Sequence, residues 1–233
     1  MAQIDTALIH KSFQDEMLIE VRDEGDYRSL YFDDNCLQSR ISLSSPHHLT
    51  LPYTRYMTLP MLFPGHLQNI LLIGVGSGSL LSFFHHHLPD CQLDGVDSSA
   101  HILRIARGYF QCPENERCRL HRNDGYSFLS ASDSTWDLIL LDAFDGCGMA
   151  PSIYSESFLE LCANHLRPRG SVSGNLWTGK KLHLKELKKC FIQHFEDTIY
   201  LPVPDRGNLV AIALRESFPW QAISLSRGEL RSL

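Results

Sequence analysis

The N-terminal part of the chain alternates short apolar runs with polar turns. Runs rich in β-branched and aromatic residues occupy positions 17–21, 28–32 and 36–43, and acidic, glycine and asparagine residues separate them. This spacing is typical of an antiparallel β-meander, because such turn residues reverse the chain between strands. The apolar spacing at 53–63 predicts a helix, which the Pro-Gly pair at 64–65 ends.

From residue 69 onward, short apolar strands alternate with segments of helical periodicity. Such alternation predicts an α/β fold with a parallel, doubly wound sheet that is covered on both faces. The predicted strands are 70–73, 92–96, 117–121, 136–141, 171–177, 197–201 and 208–214. The predicted helices are 79–88, 100–110, 126–130, 155–166 and 180–194.

The stretch 69–97 has the order strand, glycine turn, helix, strand, acid. Its first strand leads into Gly74, Gly76 and Gly78, and its second strand is followed by Asp97. Glycines let the backbone turn sharply and approach a ligand where a Cβ atom would collide. This order is that of a nucleotide-binding βαβ unit, in which the acid holds ribose hydroxyls. We therefore expect a ligand site here rather than a plain turn.

The composition narrows the range of functions. The 233 residues are 43% hydrophobic and 21% charged, as in an ordinary soluble protein, and no apolar run is long enough to span a bilayer. The formal net charge of −6 argues against nucleic acid as the main partner. The seven cysteines lack paired spacing and the N-terminus has no apolar secretory segment, so we expect a cytoplasmic protein without a metal site.

Carboxylates follow the predicted strands at the edge where an α/β sheet binds its ligands. They are Asp97, Asp124, Asp142 and Asp145. Asp124 has two interpretations, the N-cap of the following helix or a ligand contact. Asp142 directly follows the buried run 136–141, and an ionised acid there can orient an attacking amine or accept its proton.

The chain between residues 27 and 177 resembles the spermidine synthase (polyamine aminopropyltransferase) family, especially its shorter bacterial members. The matching segments are YRSLYFDDNCLQSR (27–40), LPYTRYM (51–57), LLIGVGSGSL (71–80), GVD (95–97), RNDGYSFL (122–129), DLILLDAFDG (137–146) and ESFLELCANHLRPRGSVSGNLW (156–177). The resemblance implies a β-meander and loop at 1–52, and a class I S-adenosylmethionine methyltransferase-like Rossmann domain at 53–233. It also implies a homodimer.

The resemblance further implies a donor substrate, decarboxylated S-adenosylmethionine or S-adenosylmethionine itself, and no metal. The residues that match the donor site share the sheet edge and the end of the meander. They are Gln38, Gly74, Gly76, Ser77, Gly78, Asp97 and Asp124. By this match the glycine loop passes under the amino-acid-derived chain, Asp97 holds the ribose and Asp124 the adenine amino group.

The acceptor implied by the resemblance is a small-molecule amine, to which an aminopropyl group is transferred. Asp142 matches the acid that accepts a proton from the amine, Asp145 helps to bind a diamine, and Tyr53 flanks its channel. A sulfonium carbon is already activated, so such an enzyme has mainly to align an unprotonated amine with it and exclude water.

Two positions depart from the family pattern. Ser77 stands where the glycine loop usually carries an aspartate, and Arg55 stands where a tyrosine-x-glutamate element has its acid. A gap-free alignment places the Arg55 charge in the acceptor channel, where it would repel a diamine and suit a carboxylate. Two alternatives therefore stay open, an S-adenosylmethionine-dependent methyltransferase and a non-catalytic nucleotide- or polyamine-binding relative.

Overall fold

The described residues of the N-terminal sheet form four antiparallel strands in the order β1-β2-β3-β4. A computed structural model describes residues 6–14, 16–33, 36–63, 65–145, 148–179, 181–204 and 207–217, without the side chains at 145, 181 and 182. The strands are β1 (Thr6–Gln14), β2 (Met17–Glu24), β3 (Tyr27–Phe32) and β4 (Cys36–Ser42). The predicted meander is confirmed, but β1 was missed. Among the described strands β1 pairs with β2 alone, and most of its side chains are exposed, so burial imposes no alternation on it.

Helix α1 (Pro52–Met57) follows the meander and is shorter than the sequence predicted. A separate 3-10 turn, Leu59–Leu62, occupies the second half of the predicted helix. Pro60 explains the break, because it has no backbone N–H and disfavours a helical conformation at the residue before it. The short helix matters for the site, since α1 carries Tyr53.

In the part of the chain that the structure describes, the central sheet has seven strands in the order β12-β13-β11-β8-β5-β6-β7. Five of them are parallel, β13 runs antiparallel to β11, and β12 runs antiparallel to β13. The strands are β5 (Asn69–Ile73), β6 (Gln92–Asp97), β7 (Cys118–Arg122), β8 (Trp136–Leu141), β11 (Leu166–Trp177), β12 (Asp197–Pro202) and β13 (Asn208–Leu214). A two-stranded hairpin, β9 (Phe144–Asp145) and β10 (Gly148–Met149), follows β8 and was not predicted.

Helices cover both faces of this sheet, as predicted. They are α2 (Ser79–His87), α3 (Ala100–Phe110), α4 (Gly125–Ser130), α5 (Glu156–His165) and α6 (Lys181–His194). The side chains of α4, α5 and α6 pack on one face and those of α1, α2 and α3 on the other. The meander packs against α3 through a third cluster that includes Ile19, Leu30 and Ile41 with Ile102 and Phe110. None of the described helices is long and apolar enough to cross a membrane.

Candidate active site

A cavity of about 440 Å³ lies at the carboxyl ends of β5, β6 and β8, against the inner end of the meander. Most of the residues predicted for the site line it: Gln38, Tyr53, Gly74, Gly76, Asp97, Asp124 and Asp142. The hydroxyl of Ser99 donates to Oε1 of Gln14 at 2.5 Å and thereby joins the meander to the start of α3 at the cavity wall. Parallel strands bring their carboxyl ends together at one edge, which explains why local sequence located so much of this wall.

The glycine loop is held closely against the end of β8. Gly74 has φ +92°, and a Cβ atom built on it lies 2.3 Å from the carbonyl oxygen of Asp142. Its N–H donates to the carbonyl oxygen of Val96 at 2.9 Å. Only glycine combines this backbone conformation with this approach, so Gly74 sets the spacing between the glycine loop and the carboxylate at the end of β8.

Ser77 is fully buried, and its hydroxyl faces the meander rather than the cavity. It lies 2.5 Å from the hydroxyl of Ser39 on β4, so this side chain fastens the glycine loop to the N-terminal sheet. Gly78, with φ +79°, begins α2 as its N-cap and packs against the Cys112 thiol. Neither residue is among those that line the cavity, and their predicted contribution to ligand binding stays a prediction.

Asp97 ends β6 and is held by the backbone of the neighbouring loops. Its carboxylate accepts hydrogen bonds from the N–H of Val75 at 3.0 Å and of Ser99 at 2.9 Å. Burial raises the pKa of Asp97, and the backbone donors, Gly76 included, oppose that rise. This arrangement fixes a carboxylate at the cavity wall. Its predicted hydrogen bonds to a ribose stay a prediction.

Asp124 is the N-cap of α4, which confirms one of its two interpretations. Its Oδ1 accepts from the N–H and the hydroxyl of Ser127, at 3.0 and 3.2 Å. Capping and ligand contact are compatible, because Asp124 also lines the cavity and its hydrogen bonds to Ser127 use only one of its two carboxylate oxygens. The contact with an adenine stays a prediction.

Asp142 lies immediately after β8 with a hydrogen-bond donor on each carboxylate oxygen. The Tyr53 hydroxyl donates to Oδ2 at 3.1 Å, and the Asn175 side-chain amide donates to Oδ1 at 2.8 Å. Burial raises the pKa of Asp142 to about 6, while the two donors oppose the rise. Burial, together with the Asp142 charge, also raises the pKa of Tyr53 well above its ordinary value, so its phenol stays protonated. The site therefore holds an oriented carboxylate whose pKa is close to neutrality, which suits a general base.

A second cavity, of about 420 Å³, adjoins the first. Both cavities are lined by Phe32, Gln38, Tyr53 and Phe144. The second has further aromatic and apolar walls, including Leu37, Leu51 and Trp177, and the side chains of Asn175 and Asn208. Asp142 lines the first cavity and its partner Asn175 the second, so the carboxylate lies where the two meet.

The second cavity contains functional candidates that the sequence interpretation missed. Asn175 lies within the predicted strand 171–177, near its carboxyl end, and the criterion that selected Asp97 and Asp142 passed over it because that criterion considered only carboxylates that follow a strand. Asn208 carries no such signal, because it stands at the beginning of β13, and only the reversed direction of that strand brings it to the same edge. The backbone of Asp145 belongs to β9, but its side chain lies outside the described part of the chain, so its role stays a prediction.

A family model described as the spermine/spermidine synthase domain matches residues 51–208. The chain belongs to the spermine/spermidine synthase family. A polyamine aminopropyltransferase of Chromobacterium violaceum is 31% identical to it over 216 residues, which are 91% of this chain and 83% of that protein. The predicted family is thus confirmed, and the match includes both cavities' residues from α1 to the start of β13.

Solved structures confirm the predicted fold class. A probable spermidine synthase from Corynebacterium glutamicum superposes with a TM-score of 0.80 at 19% identity, covering 90% of this chain and 81% of that one. A spermidine synthase in complex with the transition state analogue AdoDATO superposes with a TM-score of 0.75 at 17% identity, covering 92% of this chain and 75% of that one. Human methyltransferase-like protein 13 in complex with SAH superposes with a TM-score of 0.65 at 20% identity, covering 78% of this chain and 88% of that one. The fold is therefore a methyltransferase-like Rossmann fold with an N-terminal meander.

Within this synthase fold, the prediction that Arg55 enters the acceptor channel is wrong. Its Nε donates to the carbonyl oxygen of Leu49 at 2.7 Å, and its Nη2 lies 3.4 Å from His48. Arg55 lines a separate surface depression with Tyr27 and Arg40. Two residues of α-helix rotate a side chain by about 200°, so when Tyr53 faces Asp142 its neighbour at position 55 faces the other way.

The histidines at 85–87 end α2, and the rings of two of them contact each other and His47. His47 stacks on His86 with a centroid distance of 3.7 Å, and His87 meets His86 edge-on at 4.8 Å. In the described part of the chain, no group of three or more His, Cys, Asp or Glu side chains is arranged to hold a metal ion. These rings pack the loop before α1 onto α2.

Proposed function

We propose that this chain is an aminopropyltransferase that uses decarboxylated S-adenosylmethionine as donor and a small-molecule amine as acceptor. The observation that carries the proposal is the position of Asp142 at the meeting point of two cavities, between Tyr53 and Asn175. Group transfer from a large adenosyl donor to an amine needs two adjoining sites and a proton acceptor between them. The name of the relative from Chromobacterium violaceum, a polyamine aminopropyltransferase, supports the same reaction.

The donor fits the first cavity on chemical grounds. Its walls supply a carboxylate for ribose hydroxyls at Asp97, an acceptor for an adenine amino group at Asp124, and backbone at Gly74 and Gly76 that lies open to a ligand chain. The acceptor fits the second cavity, whose aromatic and apolar walls suit the alkyl chain of an amine.

The reaction balances with the groups present. The lone pair of an unprotonated amine attacks the methylene carbon next to the sulfonium, a C–N bond forms, and the C–S bond breaks with its electron pair passing to sulfur. Methylthioadenosine leaves, and the proton released by the amine passes to Asp142. A carboxylate with a pKa of about 6 accepts that proton at neutral pH and can return it to water after product release.

One observation favours the alternative, methyl transfer from S-adenosylmethionine. The described glycine loop offers no side-chain carboxylate to the amine end of an aminopropyl chain, because Ser77 takes the position of the family aspartate and is turned towards Ser39. Because Arg55 lies outside the channel, its charge is no longer an argument for a carboxylated ligand. Aminopropyl transfer is therefore the better supported function.

The deciding experiment measures which product forms. The protein is incubated with a linear diamine and either decarboxylated S-adenosylmethionine or S-adenosylmethionine, and methylthioadenosine and S-adenosylhomocysteine are quantified. Aminopropyl transfer predicts methylthioadenosine from the decarboxylated donor only, and Asp142→Asn should abolish it while the exposed Asp133→Asn leaves it unchanged. S-adenosylhomocysteine as the main product would establish methyl transfer. Calorimetric donor binding without either product would indicate a non-catalytic relative.

We further infer a homodimer that forms through the outer edge of the meander. Strand β1 leaves one edge unpaired among the described strands and exposes Leu8 (55%) and Phe13 (66%). Light scattering should find a dimer that Phe13→Asp dissociates. Ile192→Asp, at an equally exposed position (68%) on α6, is the matched control. Dissociation by the control alone would place the interface elsewhere.

We also propose the cytoplasm as the compartment of this protein. The six cysteines in the described part of the chain are free thiols, and four of them are buried, which supports a reducing environment. Cell fractionation followed by thiol alkylation tests this, and recovery of the protein outside the cytoplasm would contradict it.

A further inference from the structure

Two asparagines connect the last strand of the chain to the reacting carboxylate. The amide nitrogen of Asn208, on β13, donates to Oδ1 of Asn175 on β11 at 2.9 Å. Asn175 in turn donates to Oδ1 of Asp142 at 2.8 Å. The three residues come from neighbouring strands of one sheet, so this Asn208–Asn175–Asp142 chain crosses β13, β11 and the end of β8.

We propose that Asn208 and Asn175 are positioning residues for the transfer reaction, which fix the orientation of the Asp142 carboxylate against the acceptor amine. The inference rests on the proposed function, since it assigns the carboxylate its role as proton acceptor. Neither asparagine is assigned this role by the sequence match, and Asn208 acts only through Asn175.

The direction of the hydrogen bonds carries the inference. An ionised carboxylate only accepts hydrogen bonds, whereas an asparagine amide has a donating and an accepting end. Asn175 must therefore turn its nitrogen to Asp142, and its oxygen then needs a donor, which Asn208 supplies. Asn175 is 2% exposed, so water cannot readily replace that donor. An inverted amide would set two oxygens against each other in a buried place.

The strands do not need these side chains to stay together. Asn175 pairs with Val210 in the β11–β13 ladder, which holds the backbone. The Tyr154 hydroxyl contacts the carbonyl oxygens of Leu141 and Asn175, both at 2.9 Å, and so fixes the two strand ends. With the backbone held independently, the amide chain acts on the carboxylate itself.

The orientation has a chemical consequence at the junction of the cavities. With Asn175 on Oδ1 and Tyr53 on Oδ2, rotation of the carboxylate would break a hydrogen bond on each side. The titratable groups that face Asp142 from the described elements are Tyr53 on α1 and Tyr154 before α5. Both have a raised pKa and stay neutral, so neither tyrosine puts a charge beside the carboxylate that the asparagine amides orient.

The test combines Asn208→Ala, the isosteric Asn208→Asp, Asn175→Ala and the Asn175→Ala/Asn208→Ala double variant. A hydrogen bond to a charged group supports about a 10- to 100-fold loss of kcat for Asn175→Ala, and a neutral one about a 2- to 10-fold loss for Asn208→Ala. The acid limb of the kcat profile should move to higher pH in each. The double variant should equal Asn175→Ala, because Asn208 acts through it. Ser173→Ala, a buried hydroxyl on β11 without a partner among the described atoms, is the matched control.

A rise in the acceptor KM of Asn208→Ala, with kcat and its pH profile unchanged, would overturn the inference and make Asn208 a direct substrate contact. Additive losses in the double variant would overturn it as well. The carbon-13 carboxyl titration of Asp142 by NMR needs no activity, and its midpoint should rise in each variant. If the wild-type protein has no transferase activity but the Asp142 titration midpoint still rises in the variants, the proposed function is refuted and the positioning of the carboxylate by the asparagines is kept. If Asn175→Ala does not fold, the two Asn208 variants carry the test, since that side chain is only half-buried.

Discussion

Replacement of Gly74 by alanine tests how the glycine loop and the reacting carboxylate depend on each other. The new Cβ would lie 2.3 Å from the carbonyl oxygen of Asp142 and 2.9 Å from Cα of Ala143, which are backbone atoms that no rotamer change can move away. The atoms have to separate by about 1 Å to reach ordinary van der Waals contact. In Gly74→Ala, either the backbone of Asp142 or the glycine loop therefore has to move.

The expected cost has two parts. A left-handed conformation at a residue with a Cβ costs roughly 1–2 kcal/mol, and overpacking against a fixed backbone costs roughly 1–3 kcal/mol. Gly74→Ala should thus lower the free energy of unfolding by about 2–5 kcal/mol, measured by urea denaturation. A misplacement of about 1 Å at the reacting carboxylate should lower kcat about 100-fold, measured as release of methylthioadenosine.

Two other glycines separate these contributions. Gly25 has φ +63° and open space around it, so Gly25→Ala reports the backbone strain alone. Gly108 lies in α3 with nothing within 4 Å, and Gly108→Ala should stabilise the protein by roughly 0.5–1 kcal/mol. If Gly74→Ala costs no more than Gly25→Ala and keeps its transfer rate, the close approach of the loop to Asp142 does not govern the site.

Three further substitutions test the site. Asp142→Asn should abolish transfer yet raise the free energy of unfolding at pH 7 by up to about 3 kcal/mol. A folded-state pKa raised from 3.8 to about 6 means that stability present at low pH is lost as the pH rises through 6. Urea titrations at pH 4 and 7 check this, and an equal gain at both pH values would contradict it. Asp97→Asn should weaken donor binding about 10- to 100-fold by calorimetry, with the acceptor KM unchanged; an unaltered donor affinity would refute its contact with the ribose. Arg55→Ala should change the acceptor KM by no more than about 2-fold, whereas a large fall in that KM would return Arg55 to the channel.

The sequence predicted the central architecture because each strand is short, apolar and bounded by its own turn signals. The strands at 136–141 and 208–214 were predicted with the bounds that they have in the structure. Strand β1 was missed since its side chains are exposed, and the helix at 53–63 was predicted too long since Pro60 was read as part of it. The division into parts at 1–52 and 53–233 stays a prediction.

The candidate site was predictable where one residue and its own strand define the position. An acid after a buried parallel strand reaches the ligand edge whatever the rest of the chain does, and this identified Asp97, Asp124 and Asp142 as cavity residues. The directions in which the side chains of Ser77 and Arg55 point were not predictable in this way. They depend on which neighbour each side chain meets, β4 in one case and the loop before α1 in the other.

By itself the sequence determined most of the elements, the sheet edge at which the carboxylates gather, and the family. The tertiary structure decided which side chains act together. Tyr53 and Asp142 are 89 positions apart, and Asn175 is 33 positions from each of its two partners. Local periodicity encodes which face and which end of an element a residue occupies. Contacts across such separations depend on how whole elements pack, and the antiparallel β13 brings Asn208 to the site only through its place in the sheet.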